Sequence, residues 1–241
     1  MNNNHKLPDL DKQYNLLSTL QRRFKNELRL TACVGVEIEF YLKDIDDIQE
    51  LEEKIGHKIK EEKGKNQYEI DLEPSEDLVL CAKYAAATRQ KIIDSAKELG
   101  GMADFASKPF AGDYGNSMHV HLNFLEDEDI EKYAKILCHF LPETIDAFLP
   151  KEEDYLRLNS SFMAPTHISY GGNNRSVLIR IPDSLPKRLE HRLAAADADL
   201  ASILCAILSS IERGLKTPEL IEDLSKTFGN ASDLQYNLKK I

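Results

Sequence analysis

Positive charge is scarce in this chain. Its 31 Lys and Arg residues stand against 41 Asp and Glu, a formal net charge of −10 at pH 7. Nucleic acids and anionic membrane surfaces need a basic face to hold their phosphates, so neither is expected as a partner. An anionic small molecule could bind only where local arginines or cations offset the overall charge. Long apolar runs are missing too. The best, from about Leu200 to Ile211, follows Asp197 and Asp199 and is too short to span a bilayer. The first residues, Met1-Asn2-Asn3-Asn4-His5-Lys6, lack the apolar stretch of a secretory signal. Cys33, Cys81, Cys138 and Cys205 lie far apart with no Cys-x-x-Cys pair, which suits small core thiols in a reduced, cytoplasmic chain. Internal repeats and low-complexity linkers are absent as well. What remains is an ordinary globular composition, 42% apolar and 30% charged over 241 residues, enough for one well-buried domain.

The periodicity predicts an α+β domain. Residues 1–10 read as a polar lead-in. Leu16, Leu17, Leu20, Phe24 and Leu28 recur at helical spacing and predict a helix over 11–28. Residues 33–42 predict a strand with Val36, Ile38 and Phe40 on one face and Glu37 and Glu39 on the other. A short charged helix over 44–54 follows, then a hairpin around Gly64 within 58–72. Pro74 and Ser75 introduce a long helix, with Ser75 as N-cap and Glu76 and Asp77 in its first turn, ending at Gly100-Gly101. Strands at 102–106 and 118–124, a helix at 128–148, strands at 165–170, 175–181 and 187–193, and a helix at 195–213 complete the chain. The tail after Lys216 reads as partly helical.

Glu37 and Glu39, two apart on one strand, project their carboxylates to the same side, roughly 7 Å apart. Close carboxylates repel unless something positive lies between them, although an isolated pair is more often the solvated face of a strand. The hairpin adds Glu69 and either Glu61 or Glu62, because a one-residue change of register exchanges the faces. His119 and His121 alternate with Met118, Val120 and Leu122, so both imidazoles leave one face. Arg188, Glu190 and Arg192 form a plus-minus-plus row: either a surface salt-bridge row or a metal carboxylate flanked by two anion-binding guanidiniums. Arg175 and Arg180 lie five apart, and only a bulge or a strand end would let both act together. Upstream of His119 the glycine-containing loop 108–117 could wrap a ligand or simply join two strands. Carboxylates, histidines and arginines projected repeatedly from strands suit hard divalent cations such as Mg2+ or Mn2+ bridging nucleotide phosphates.

In order along the chain come Val34-Gly35-Val36-Glu37-Ile38-Glu39-Phe40, Gln67-Tyr68-Glu69-Ile70, and the stretch from Lys108-Pro109-Phe110 to Met118-His119-Val120-His121. Residues 174–182 and Arg188-Leu189-Glu190-His191-Arg192 complete the series. Together they resemble the catalytic domain of glutamine synthetase over about residues 15–230. The resemblance implies a curved, mainly antiparallel sheet with flanking helices. It further implies a single catalytic domain over 11–241 without the small N-terminal β-domain that the family carries. By the same resemblance Glu39, Glu61 and Glu69 hold one Mg2+ or Mn2+, and Glu37, His119 and Glu190 hold a second. His121, Arg175, Arg180 and Arg188 would lie at the nucleotide, Arg175 and Arg180 as catalytic arginines, with Gly115, Arg157 and Arg192 at the substrate. The implied reaction joins a small carboxylate, glutamate or a relative, to an amine at the expense of ATP, through an acyl phosphate. Met163 stands where the family has a flap glutamate that forms and deprotonates the ammonium site. Tyr114, Asn116 and Ser117 also depart from the family's loop beside the glutamate pocket, and both departures turn the expectation away from ammonia. Two rival readings stay open: a nucleotide- or metal-binding homologue acting as a sensor or interaction module, and a conventional glutamine synthetase completed by a partner chain. A homo-oligomer smaller than the family's rings is the expected assembly.

Overall fold

The computed structural model describes residues 10–241, so the expected lead-in, apart from Leu10, lies outside the described residues. Eight strands form one sheet: β1 (Ala32–Lys43), β2 (Lys60–Glu61), β3 (Gln67–Ser75), β4 (Met102–Asp104), β5 (Met118–Phe124), β6 (Tyr170–Gly171), β7 (Ile179–Arg180) and β8 (Leu189–His191). Their order is β2-β3-β1-β5-β8-β7-β6, with β4 also paired to β1. Every pairing is antiparallel except β6 with β7. Among the described residues five α-helices accompany the sheet: α1 (Leu10–Arg23), α2 (Ile48–Ile55), α3 (Leu78–Glu98), α4 (Ile130–Phe148) and α5 (Leu200–Lys216). The α+β architecture and the mainly antiparallel sheet agree with the sequence.

The alternation along β1 and β5 divides the molecule. Val34, Val36, Ile38 and Phe40 on β1, and Met118, Val120 and Leu122 on β5, are at most 1% exposed. They join Leu17 and Leu20 of α1, Ile92 and Ala96 of α3, and Ile207 and Ile211 of α5 in one continuous apolar core. Burying that face drives the remaining side chains of the same strands, Glu37, Glu39, His119 and His121, to the opposite face. No helix among the described residues is long and apolar enough to cross a membrane.

Several boundaries differ from the sequence reading. The first helix is α-helical only to Arg23 and continues as a π-turn over Phe24–Leu28. β3 runs through Pro74 to Ser75, and Asp77 rather than Ser75 caps α3, its carboxylate accepting from the Leu80 amide at 3.0 Å. α5 starts after Asp199, which caps it through the Ser202 amide, five residues later than the expected start at 195. The three late strands shrink to two or three residues each. Arg175 consequently sits in a turn before β7, which supplies the strand end that Arg175 and Arg180 required.

Candidate metal and phosphate centre

Cross-strand register assembles the site. Glu39 of β1 lies opposite Glu69 of β3. On its other side β1 places Glu37 opposite His119 of β5. His121 faces Glu190 of β8, and Glu190 faces Arg180 of β7. The charged side chains of five neighbouring strands therefore converge on one face. Opposed pairs in a sheet have Cβ atoms about 5 Å apart, within reach of one ion.

Their hydrogen bonds are specific. Glu39 Oε2 accepts from both the Ser117 amide and the Ser117 hydroxyl at 2.7 Å. His119 Nδ1 lies 3.1 Å from Glu37 Oε2 and 3.6 Å from Glu190 Oε1, while its Nε2 meets the Ser117 hydroxyl at 2.8 Å. His121 Nδ1 accepts from Arg188 Nε at 3.1 Å. Glu190 is fully buried, and its two oxygens pair with the guanidiniums of Arg180 and Arg192. Burial would raise the Glu190 carboxyl, but His119, Arg192, His121 and Arg180 together hold it down at about 2. Glu37 is likewise held far below the usual carboxylate range, the hydrogen bond from His119 and the His121 imidazole beside it outweighing its burial. Glu69 goes the other way: burial first, then Glu37, Glu62 and Glu39, push it up to about 9. Burial and Glu39 also raise Glu62. This corner of the face carries more carboxylates than it can ionise without a cation.

The donor set fits a hard divalent ion. Three overlapping groups each bring ligand atoms within 4.8 Å of one another: Glu37 with Glu69 and His119, Glu37 with His121 and Glu190, and Glu39 with Glu62 and Glu69. His121 Nε2 is buried and lies 3.0 Å from Glu37 Oε1, yet it is not aligned to hydrogen-bond and has no other partner. Carboxylate oxygens with an imidazole are a set that Mg2+ or Mn2+ accepts.

Two loops close the face. Gly115 is held between the Ser107 carbonyl and Arg157, where a Cβ would come within 2.6 Å of the one and 2.7 Å of the side chain of the other. Buried Asn116 ties the same loop down through the carbonyls of Asp104 and Ala106 and through Gln67. Opposite lies the 160–163 flap, whose Phe162 ring stands edge-on to Tyr114 at 5.4 Å and carries Lys108 Nζ 3.9 Å from its centroid. Met163 follows in left-handed backbone (φ 58°), and its carbonyl accepts weakly from Arg192. Met163 and Arg175 line the same cleft as Glu39, Glu62 and Glu69.

The structure brings Glu37, Glu39, Glu69, His119, His121, Glu190, Arg180 and Arg192 onto one face. It does not bring Glu61. That carboxylate is exposed and pairs opposite Tyr68, on the far face from Glu69. Glu62 takes its place: its amide continues the ladder to the Gln67 carbonyl, which puts Glu62 on the Gln67 and Glu69 side. Arg188 is folded back, its Nη1 donating to Ser184 and the Pro186 carbonyl. Arg157 is buried and spends both Nη groups on the Leu193 and Arg192 carbonyls; burial, with Arg192 beside it, pulls it down to about 10 against the attraction of Glu39. Asn173 was not foreseen. It receives Nε and Nη2 of Arg180, and nothing in its sequence context marks it.

The sequence pattern of "Glutamine synthetase, catalytic domain" matches residues 45–236. The chain belongs to the glutamine synthetase family. Among its relatives, gamma-glutamylputrescine synthetase of Escherichia coli K12 is 30% identical over 190 residues, covering 72% of this chain and 40% of that protein. Glutamine synthetase of Pyrococcus furiosus is 33% identical over 175 residues, 64% of this chain and 38% of the relative. Glutamate–methylamine ligase of Methyloversatilis universalis is 29% identical over 178 residues, 64% and 39%. The chain thus spans about two fifths of the length of these family members. Among solved structures, GmaS in an ADP complex superposes with a TM-score of 0.79 at 21% identity, over 95% of this chain and 65% of that one, a likeness of fold.

Proposed function

We propose that this family member is an ATP-dependent carboxylate–amine ligase that works through an acyl phosphate, with glutamate or a close relative as the carboxylate and an alkylamine rather than ammonia as the nucleophile. The observation that carries this reading is the single sheet face on which five carboxylates and two imidazoles meet Arg180 and Arg192. Mg2+ or Mn2+ held by Glu37, Glu39, Glu62, Glu69, Glu190 and the histidines would supply charge neutralisation for phosphoryl transfer. Arg180, oriented by Asn173, and Arg175 at the mouth of the cleft are placed to hold phosphate oxygens. The side-chain carboxylate attacks the γ-phosphorus of ATP, and the bond to the ADP oxygen breaks. The neutral amine nitrogen then attacks the acyl carbon, phosphate leaves with the former carboxylate oxygen, and the proton shed by nitrogen passes to solvent.

The choice of amine rests on Met163. A thioether can neither pair with ammonium nor take its proton, but with Phe162 it offers an apolar surface to an alkyl substituent. Relatives whose names specify putrescine and methylamine support the same direction. A second reading, binding without turnover, is favoured by Arg157, whose Nη groups are already committed to backbone carbonyls. An assay of ADP release with glutamate, Mg2+ or Mn2+ and a panel of ammonia, methylamine and putrescine separates the two. Amine-dependent ADP release, greater with the alkylamines, is expected; silence across the panel would sink the ligase reading in favour of a binding module.

A further inference from the structure

The C-terminal segment is stitched to the edge of the sheet. The Thr227 amide donates to the Tyr170 carbonyl at 2.8 Å, the Ile168 amide to Lys239 at 2.8 Å, and the Ile241 amide to Thr166 at 3.1 Å. Gly171 permits this approach, since a Cβ there would stand 2.6 Å from the Thr227 carbonyl oxygen. Directly after them in the chain comes the turn 172–176. At its centre Asn174 Nδ2 donates to the carbonyls of Thr227 at 3.1 Å and Gly229 at 2.8 Å. Its Oδ1 accepts from the Ser176 amide at 3.0 Å and the Ser176 hydroxyl at 2.8 Å, and that hydroxyl in turn accepts from the Ala231 amide at 2.9 Å. Asn174 therefore uses its donors across to the C-terminal segment and its acceptor within the turn. Its two neighbours face the site: Asn173 Oδ1 receives Arg180, and Arg175 lines the cleft with Glu39 and Glu62.

We propose that Asn174 is a positioning residue for the phosphate-side arginines, and that it acts by clamping the 172–176 turn onto the carbonyls of Thr227 and Gly229. The C-terminal segment is then a working part of the site. What the arginines hold rests on the ligase reading; the clamp does not.

Asn174→Asp tests it. The substitution keeps the acceptor used by Ser176 and replaces both donated bonds with a carboxylate oxygen against two carbonyls. A role confined to the turn would survive it, whereas a clamp would not. Three quantities are read on the full chain: hydrogen exchange of the amides from 171 to 181, the affinity for Mn2+ alone, and the affinity for ADP with Mn2+. Faster exchange confined to the turn, unchanged Mn2+ binding and ADP binding weakened by about tenfold, the loss of one to two hydrogen bonds, are expected. Wild-type exchange and ADP affinity in Asn174→Asp would overturn the proposal, as would a parallel loss of Mn2+ and ADP binding with general loosening. If Asn174→Asp does not fold, Ser176→Ala, which removes the hydroxyl's bonds to Asn174 Oδ1, the Gly229 carbonyl and the Ala231 amide, is read in the same way. Wild-type protein that binds no ADP with Mn2+ would count against the ligase reading, while the exchange comparison still decides the clamp.

Discussion

Glu62 shows how much one position can decide. It lies one step beyond Glu61, the last residue of a two-residue strand, and only Glu62 shares a face with Glu69. Glu62→Gln should weaken Mn2+ binding, measured by calorimetry, while Glu61→Gln leaves it near the wild-type value. Ser117 supports Glu39 through its amide and its hydroxyl; Ser117→Ala removes the hydroxyl bond alone and should cost about tenfold in Mn2+ affinity, the usual effect of removing a ligand's hydrogen-bond partner. At the flap, Met163→Glu should restore an acid beside the cleft and raise the use of ammonia relative to methylamine; an unchanged ratio in the ADP-release assay would remove Met163 from amine selection. Glu37, Glu39, His119 and His121 were legible because strand alternation alone assigns their face. The choice between Glu61 and Glu62 was not, since it depends on the register of a hairpin whose turn residues set no visible count. Asn173 left no mark, because an exposed Asn in a turn is ordinary until a guanidinium is found against it.

Among the elements, β1 carries the greatest share of the architecture. Its inward residues anchor the core and its outward ones hold two carboxylates, so fold and site depend on the same alternation. Ile38→Ala should destabilise the protein by about 2–5 kcal/mol in denaturant unfolding, the range for a fully buried aliphatic side chain. Asp77→Ala should cost about 1 kcal/mol by uncapping α3, whereas Ser75→Ala should cost less. Equal losses for the two would mean that the cap was misassigned. Long periodic elements such as β1, α3 and α4 could be read from the sequence. β6, β7 and β8 could not be bounded, because strands of two or three residues have no period of their own and are defined by the partners they pair with. The start of α3 was read two residues early because Pro74 and Ser75 look like a helix entry, yet Ser75 still pairs with β1 at Val34.

For the whole molecule, the crowded carboxylates link metal, pH and stability. Glu69 titrates higher in the folded protein than its ordinary value near 4.5, at about 9. Its contribution to stability is therefore fully present below pH 4.5 and is lost as the pH rises through about 9. Metal-free protein should show a falling thermal midpoint from pH 7 to 9. Saturating Mn2+ should abolish that slope and stabilise more at pH 8.5 than at pH 6, because the ion takes the place of the proton. A midpoint that responds to Mn2+ equally at both values would argue that Glu69 is not a ligand. The likeness to the glutamine synthetase catalytic domain was legible as ordered motifs, and the sheet face explains their order: each motif is one strand's contribution to a common row. The proposed reaction is tested most directly by following an oxygen atom. Glutamate labelled with 18O in its side-chain carboxylate, incubated with ATP, Mn2+ and methylamine, should deliver one labelled oxygen to the phosphate released, since the acyl phosphate breaks at the carbon. Phosphate free of label, released alongside ADP, would contradict phosphoryl transfer to the carboxylate.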